Sequence, residues 1–149
     1  MKSAIFKTLI FLFITGCAGQ SLTQPSYLPG LGEIMAQISY RHGKLWFAGQ
    51  AQNWALAAYE LEEIEEGLAD ASQYHPSHKT ITGIPRLILQ TMDNAIKQTA
   101  QGIRNKNVVG FNAGYDALTA GCNVCHQATG FGFNVIVKPQ KNVFSNQQF

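Results

Sequence analysis

From residue 31 onward, apolar residues recur at alternating three- and four-residue intervals, the rhythm of helices that turn one face to a shared core. In the first segment the stripe is Leu31, Met35, Ile38, His42, Leu45 and Gly49. It starts after Pro29-Gly30 and ends near Gly49. The second segment begins with Asn53 as an N-cap and continues through Trp54, Ala57, Leu61, Ile64 and Leu68. Its other face carries Glu62, Glu63, Glu65 and Glu66, the pattern of a solvated surface. The third starts near Ile84, with Pro85 suited to a first helical turn, and its stripe is Ile84, Ile88, Met92, Ala95, Thr99 and Ile103. The fourth spans about residues 108–128, with Val108, Phe111, Tyr115, Leu118, Cys122 and Cys125 on one face. These four stripes predict an all-α domain over residues 30–129, an antiparallel four-helix bundle.

The breaks between stripes are equally legible. Tyr74-His75-Pro76-Ser77-His78-Lys79, followed by Gly83, reads as a loop, with His75 and His78 exposed to solvent rather than holding a metal. Gly110, Gly114 and Gly121 weaken the fourth helix by up to about 1 kcal/mol each relative to alanine. Gly121, next to Cys122, suggests a close approach by a neighbouring helix or a bound group. Gly130 is a helix stop. Residues 130–149 include Phe131, Phe133, Val135, Ile136, Val137, Phe144 and Phe149, too apolar for a free tail, and are expected to pack on the bundle.

The N-terminal 29 residues have a different character. Lys2 and Lys7 precede the apolar run Leu9-Ile10-Phe11-Leu12-Phe13-Ile14, which is too short to span a bilayer. Residues 1–16 therefore read as a signal peptide. Ile14-Thr15-Gly16-Cys17 is similar to a bacterial lipobox, which makes Cys17 a lipidated first residue; ordinary cleavage with a free Cys17 thiol is the alternative. Ala18 in place of an aspartate favours the outer membrane. Residues 17–29, rich in Gly, Ser, Gln, Thr and Pro, form a tether. Removing Lys2 and Lys7 from the eleven basic residues leaves nine, matching the nine acidic ones, so the body is near neutral and lacks the basic face of a nucleic-acid binder.

The chemistry concentrates in Cys122-Asn123-Val124-Cys125-His126. Two cysteines three apart share a helical face and can bond the two vinyl groups on one edge of a porphyrin, and the adjoining histidine can reach the iron. This makes Cys122 and Cys125 thioether anchors of one covalent haem c, and His126 its proximal iron ligand. Two other readings compete: a thioredoxin-like redox pair, which wants a βαβ pattern that is absent, and half of a zinc site. Haem of this kind is attached outside the cytoplasm, which agrees with the export signal. The cysteines lie in the bundle seam, so the porphyrin is expected inside the bundle, near the C-terminal end of the last helix.

Four antiparallel helices with this motif late in the fourth resemble the cytochrome c′ type of four-helix-bundle cytochromes. The resemblance implies a five- or six-coordinate haem, electron transfer or small-gas binding, and often a homodimer. The lipidated start and long apolar tail depart from its compact members. In an antiparallel bundle the end of the fourth helix lies beside the start of the first. Met35 is therefore the first candidate for the sixth ligand, His42 the second and Met92 a distant third. Arg41, and less well Lys44, could pair with haem propionates. With Met35 bound, the chain reads as an electron-transfer protein without enzymatic activity, lipid-anchored on the periplasmic side of a bacterial membrane. Its partner is another redox protein, for which the Glu62–Glu66 face offers a docking patch. With the sixth site open, binding of nitric oxide or carbon monoxide is the alternative. A lipoprotein without haem is the third reading.

Overall fold

The computed structural model describes residues 27–149. The signal segment, Cys17 and most of the tether lie outside the described residues. Four helices follow one another: α1 Leu31–Gln50, α2 Trp54–Tyr74, α3 Ile84–Arg104 and α4 Val108–Ala128. Helix ends are set by local chemistry. Glu33 accepts the Gly30 amide at the start of α1 (2.8 Å), placing a carboxylate at the positive end of the helix. Asn53 accepts the Leu56 amide and Asn107 the Gly110 amide as N-caps of α2 and α4. α4 ends in a Schellman turn: Gly130 takes φ of 77°, its amide bonds Gln127, and the Phe131 amide bonds the His126 carbonyl at 2.7 Å. The segment between α2 and α3 is more ordered than a plain loop. It forms a small antiparallel hairpin, β1 Ser77–His78 against β2 Ile81–Thr82, with His78 opposite Ile81.

The bundle is built as two tight pairs. α1 packs chiefly on α2 and α4 chiefly on α3, whereas α1 and α4 touch little. Close packing of α3 and α4 requires glycine. A Cβ on Gly114 would lie 2.6 Å from the Thr99 backbone, and one on Gly121 would lie 2.5 Å from the Thr91 carbonyl oxygen. The expectation for Gly121 is thus met by a neighbouring helix. The half of the bundle away from the Schellman turn is filled by Leu45, Leu61, Ile64, Phe111, Tyr115 and Leu118, all buried. Trp46 lies over Tyr115 (5.0 Å between centroids) and Trp54 meets Phe111 edge-on.

Three polar residues of α1 are committed to this packed half. Glu60 of α2 is fully buried. Its Oε2 lies 3.2 Å from Arg41 Nη1 and its Oε1 3.0 Å from Lys44 Nζ, the latter off the line of a well-directed hydrogen bond and so held by charge. Arg41 also pairs with Glu63 at 2.7 Å. The two basic side chains placed by sequence at a haem propionate are therefore neutralised by α2. A buried carboxylate in this seam would demand such partners. His42, the second candidate for an iron ligand, is also spoken for. Its Nε2 lies 2.9 Å from Thr119 Oγ1, and its Nδ1 lies 3.0 Å from the Tyr115 hydroxyl. Stripe periodicity gives the face of a helix but not which neighbour the face meets, and His42 meets the packed part of α4.

Glu60→Ala strands Lys44 in the seam. A loss of about 3 kcal/mol in unfolding free energy is expected by denaturant titration, because breaking one side of a buried ion pair costs about that much. Burial holds His42 neutral, its pKa lowered from 6.5 to about 4. The unfolded chain takes up a proton there first, so this contribution is complete above pH 6.5 and is lost as pH falls towards 4. Wild type should lose about 3 kcal/mol more across that range than His42→Gln, in parallel denaturant titrations.

Candidate functional site

The other half of the bundle is open inside. Where α1 and α4 part, a cavity of about 450 Å³ remains, within the range of roughly 300–1,000 Å³ typical of cofactor and ligand sites. α1 contributes Leu31, Met35 and Ile38 to its walls, and α3 contributes Ile84, Ile88 and Met92. From α4 come Cys122, Cys125 and His126, and from the chain beyond it Phe131 and Ile136. The hairpin closes the end with His78 and Ile81. Met35, the first candidate for a sixth ligand, and the entire Cys122–His126 set thus face one space, and Met92 shares it. Arg41 and His42 do not line it. His78 does, although the sequence pattern reads it as a solvent-exposed loop residue. The hairpin, in which His78 pairs with apolar Ile81, brings it to the cavity, and no signal in the sequence marked that pairing. His78 and His126 are the basic side chains in the lining. His75 points elsewhere, its Nε2 donating to the Pro29 carbonyl oxygen at 2.8 Å.

The helical spacing gives the α4 residues distinct surroundings. Cys122 is crowded against the core while part of its surface faces the cavity, and this burial pushes its thiol up to about 11. Burial raises the Cys125 thiol as well. Both run opposite to a reactive redox pair, whose thiolates are stabilised, and among the described residues no βαβ unit surrounds them. Among the described residues no three His, Cys, Asp or Glu side chains converge to hold a metal on their own. The zinc half-site therefore has no complement there, since such a site takes four protein ligands. A haem iron asks less of the protein, because the porphyrin supplies four nitrogens and only axial positions remain.

His126 is oriented by the chain that follows α4. Its Nδ1 lies 2.7 Å from the carbonyl oxygen of Asn134. A carbonyl only accepts, so Nδ1 carries a proton, and in the neutral ring Nε2 then keeps its lone pair. This is the arrangement found behind metal-binding imidazoles. The carbonyl is held in place by Asn123, whose Nδ2 donates to the Ile136 carbonyl and whose Oδ1 accepts the Ile136 amide, both at 2.8 Å. Further along, Lys138 pairs with Asp116 at 2.6 Å and lies over the Trp46 ring. Phe144 and Phe149 end against Tyr40 and Phe47 of α1. The tail thereby crosses from α4 to α1 and ties together two helices that touch little.

The residues fit a covalent haem on several counts: a largely apolar cavity, two thiols one turn apart on its wall, an imidazole whose Nε2 is available, and a thioether from another helix. Among the described residues no helix is long and apolar enough to cross a membrane. No family model, curated protein or solved structure matches this chain.

Proposed function

We propose that this chain is an exported c-type cytochrome that carries single electrons. The observation that carries this reading is the convergence of Cys122, Cys125, His126 and Met35 on one apolar cavity. Haem bound there supplies an Fe(III)/Fe(II) couple. Cys122 and Cys125 anchor it along one edge, and His126 ligates through Nε2. Met35 faces it from α1, where a thioether raises the reduction potential. Apolar walls from α1 and α3 exclude water and favour the less charged, reduced state. His78, at the hairpin end of the cavity, takes the carboxylate-binding role that Arg41 cannot fill while it serves Glu60 and Glu63. The signal segment and lipobox-like Cys17 support delivery to the periplasmic side of a bacterial membrane, the compartment where such haem is attached, and retention there by a lipid anchor.

Exporting the chain in a bacterium with a cytochrome c maturation apparatus tests this. Wild type is expected to be coloured and to keep haem on a denaturing gel; Cys122→Ala with Cys125→Ala is expected to lose it. A colourless, unstained wild-type protein overturns the proposal. Met35→Ala is expected to convert a low-spin ferric spectrum to high-spin and to lower the reduction potential. A wild-type spectrum already high-spin would replace Met35 ligation with an open site, and with it the carrier role by reversible binding of nitric oxide or carbon monoxide.

A further inference from the structure

Asn123 fills one of the two variable positions between the haem-anchoring cysteines, where the spacing chemistry asks nothing of the side chain. Its neighbour Val124 is exposed. Asn123 instead faces the tail, and its carboxamide engages both the amide and the carbonyl of Ile136. This two-point contact imitates the pairing of one strand with another and leaves residue 136 little freedom to slide or rotate. Two residues earlier, the Asn134 carbonyl meets His126 Nδ1. Asn134 is itself braced by its amide, which donates to the Phe131 carbonyl at 2.8 Å. Phe131 is fixed to α4 by the Schellman bond to His126. The loop of residues 131–136 is therefore pinned at both ends, and the pinned span carries the acceptor for the imidazole.

We infer that Asn123 is a positioning residue for His126: by clasping Ile136 it holds the Asn134 carbonyl on Nδ1, which fixes the ring tautomer and strengthens Nε2 as an iron donor. This rests on the haem reading above. The physical link is direct. An imidazole whose Nδ1–H is drawn toward a carbonyl gains electron density at Nε2, and a richer donor stabilises Fe(III) over Fe(II). The tail thus does more than cover the cavity end: it lowers the reduction potential that Met35 and the apolar walls raise. The Asn134 side chain has no part in this, because the acceptor is a backbone oxygen.

Asn123→Ala, compared with wild type and with Val124→Ala, separates the cases. In wild type the Ile136 amide is expected to exchange slowly with deuterium, a readout independent of the haem. The His126 Nδ1 proton of the ferrous, carbon-monoxide-bound protein is expected to exchange slowly too. In Asn123→Ala both should exchange at least tenfold faster, and the reduction potential should rise. Val124→Ala, at the exposed variable position, should match wild type in all three. Accelerated Ile136 exchange with an unmoved potential overturns the proposal, as does an unprotected His126 Nδ1 proton in wild type, which needs no variant to fold. A haem-free wild type brings down the cofactor reading and this proposal together, whereas a haem-loaded wild type with an indifferent Asn123→Ala brings down this one alone.

Discussion

The close crossing of α4 on α3 sets where everything else can go. Gly114 and Gly121 let the α4 backbone lie against Thr99 and Thr91, positions at which any Cβ would collide. With α4 drawn onto α3, and α1 committed to α2, the helices cannot all close on one axis. Their packed half is filled by large side chains from α1, α2 and α4. The other half is left open between α1 and α4, lined by Cys122, Cys125 and His126 on one wall and Met35 on another. Glycine inside a helix usually costs stability. Here the cost in helix propensity is offset by backbone contact that shapes the space beside the cysteines.

Charge is kept out of that space. Glu60 is fully buried, yet its partners Arg41 and Lys44 come from α1, so the ion pairs bind the α1–α2 seam and leave the cavity lining apolar apart from His78, His126 and a few hydroxyl and amide groups. His42 is withdrawn into the packed half by Thr119 and Tyr115. For the haem proposed above, such a separation would leave the energetic cost of changing charge state chiefly to the residues that hold it.

The segment after α4 behaves as a structural element without regular secondary structure. Its hold on the bundle comes from discrete contacts: the Asn123 clasp, the Lys138–Asp116 pair, and aromatic contacts of Phe144 and Phe149 on α1. Each bridges parts that helix packing alone leaves apart. The tail lines part of the opening that the α1–α4 gap creates, and it places a backbone acceptor behind His126 at the same time.

All four helices and most of their ends follow from local rules. Apolar spacing identified each stripe, Asn53 and Pro85 marked starts, and Gly130 marked the end of α4, because helix propensity and capping act within a turn or two. The candidate chemistry of Cys122, Cys125 and His126 was equally local, being fixed by spacing on one helix. The sequence could not say which stripe residues meet which helix. Met35 and His42 share a face, but only the splaying of α1 from α4 sends one to the cavity and the other to Tyr115. Arg41 and Lys44 looked available because Glu60 was not recognised as buried among the surface glutamates beside it. His78 looked solvent-exposed until the hairpin turned it inward, and nothing in the residues after Gly130 marked the carbonyl that meets His126. Those outcomes depend on distances between segments far apart in the chain, which only the packed tertiary structure sets.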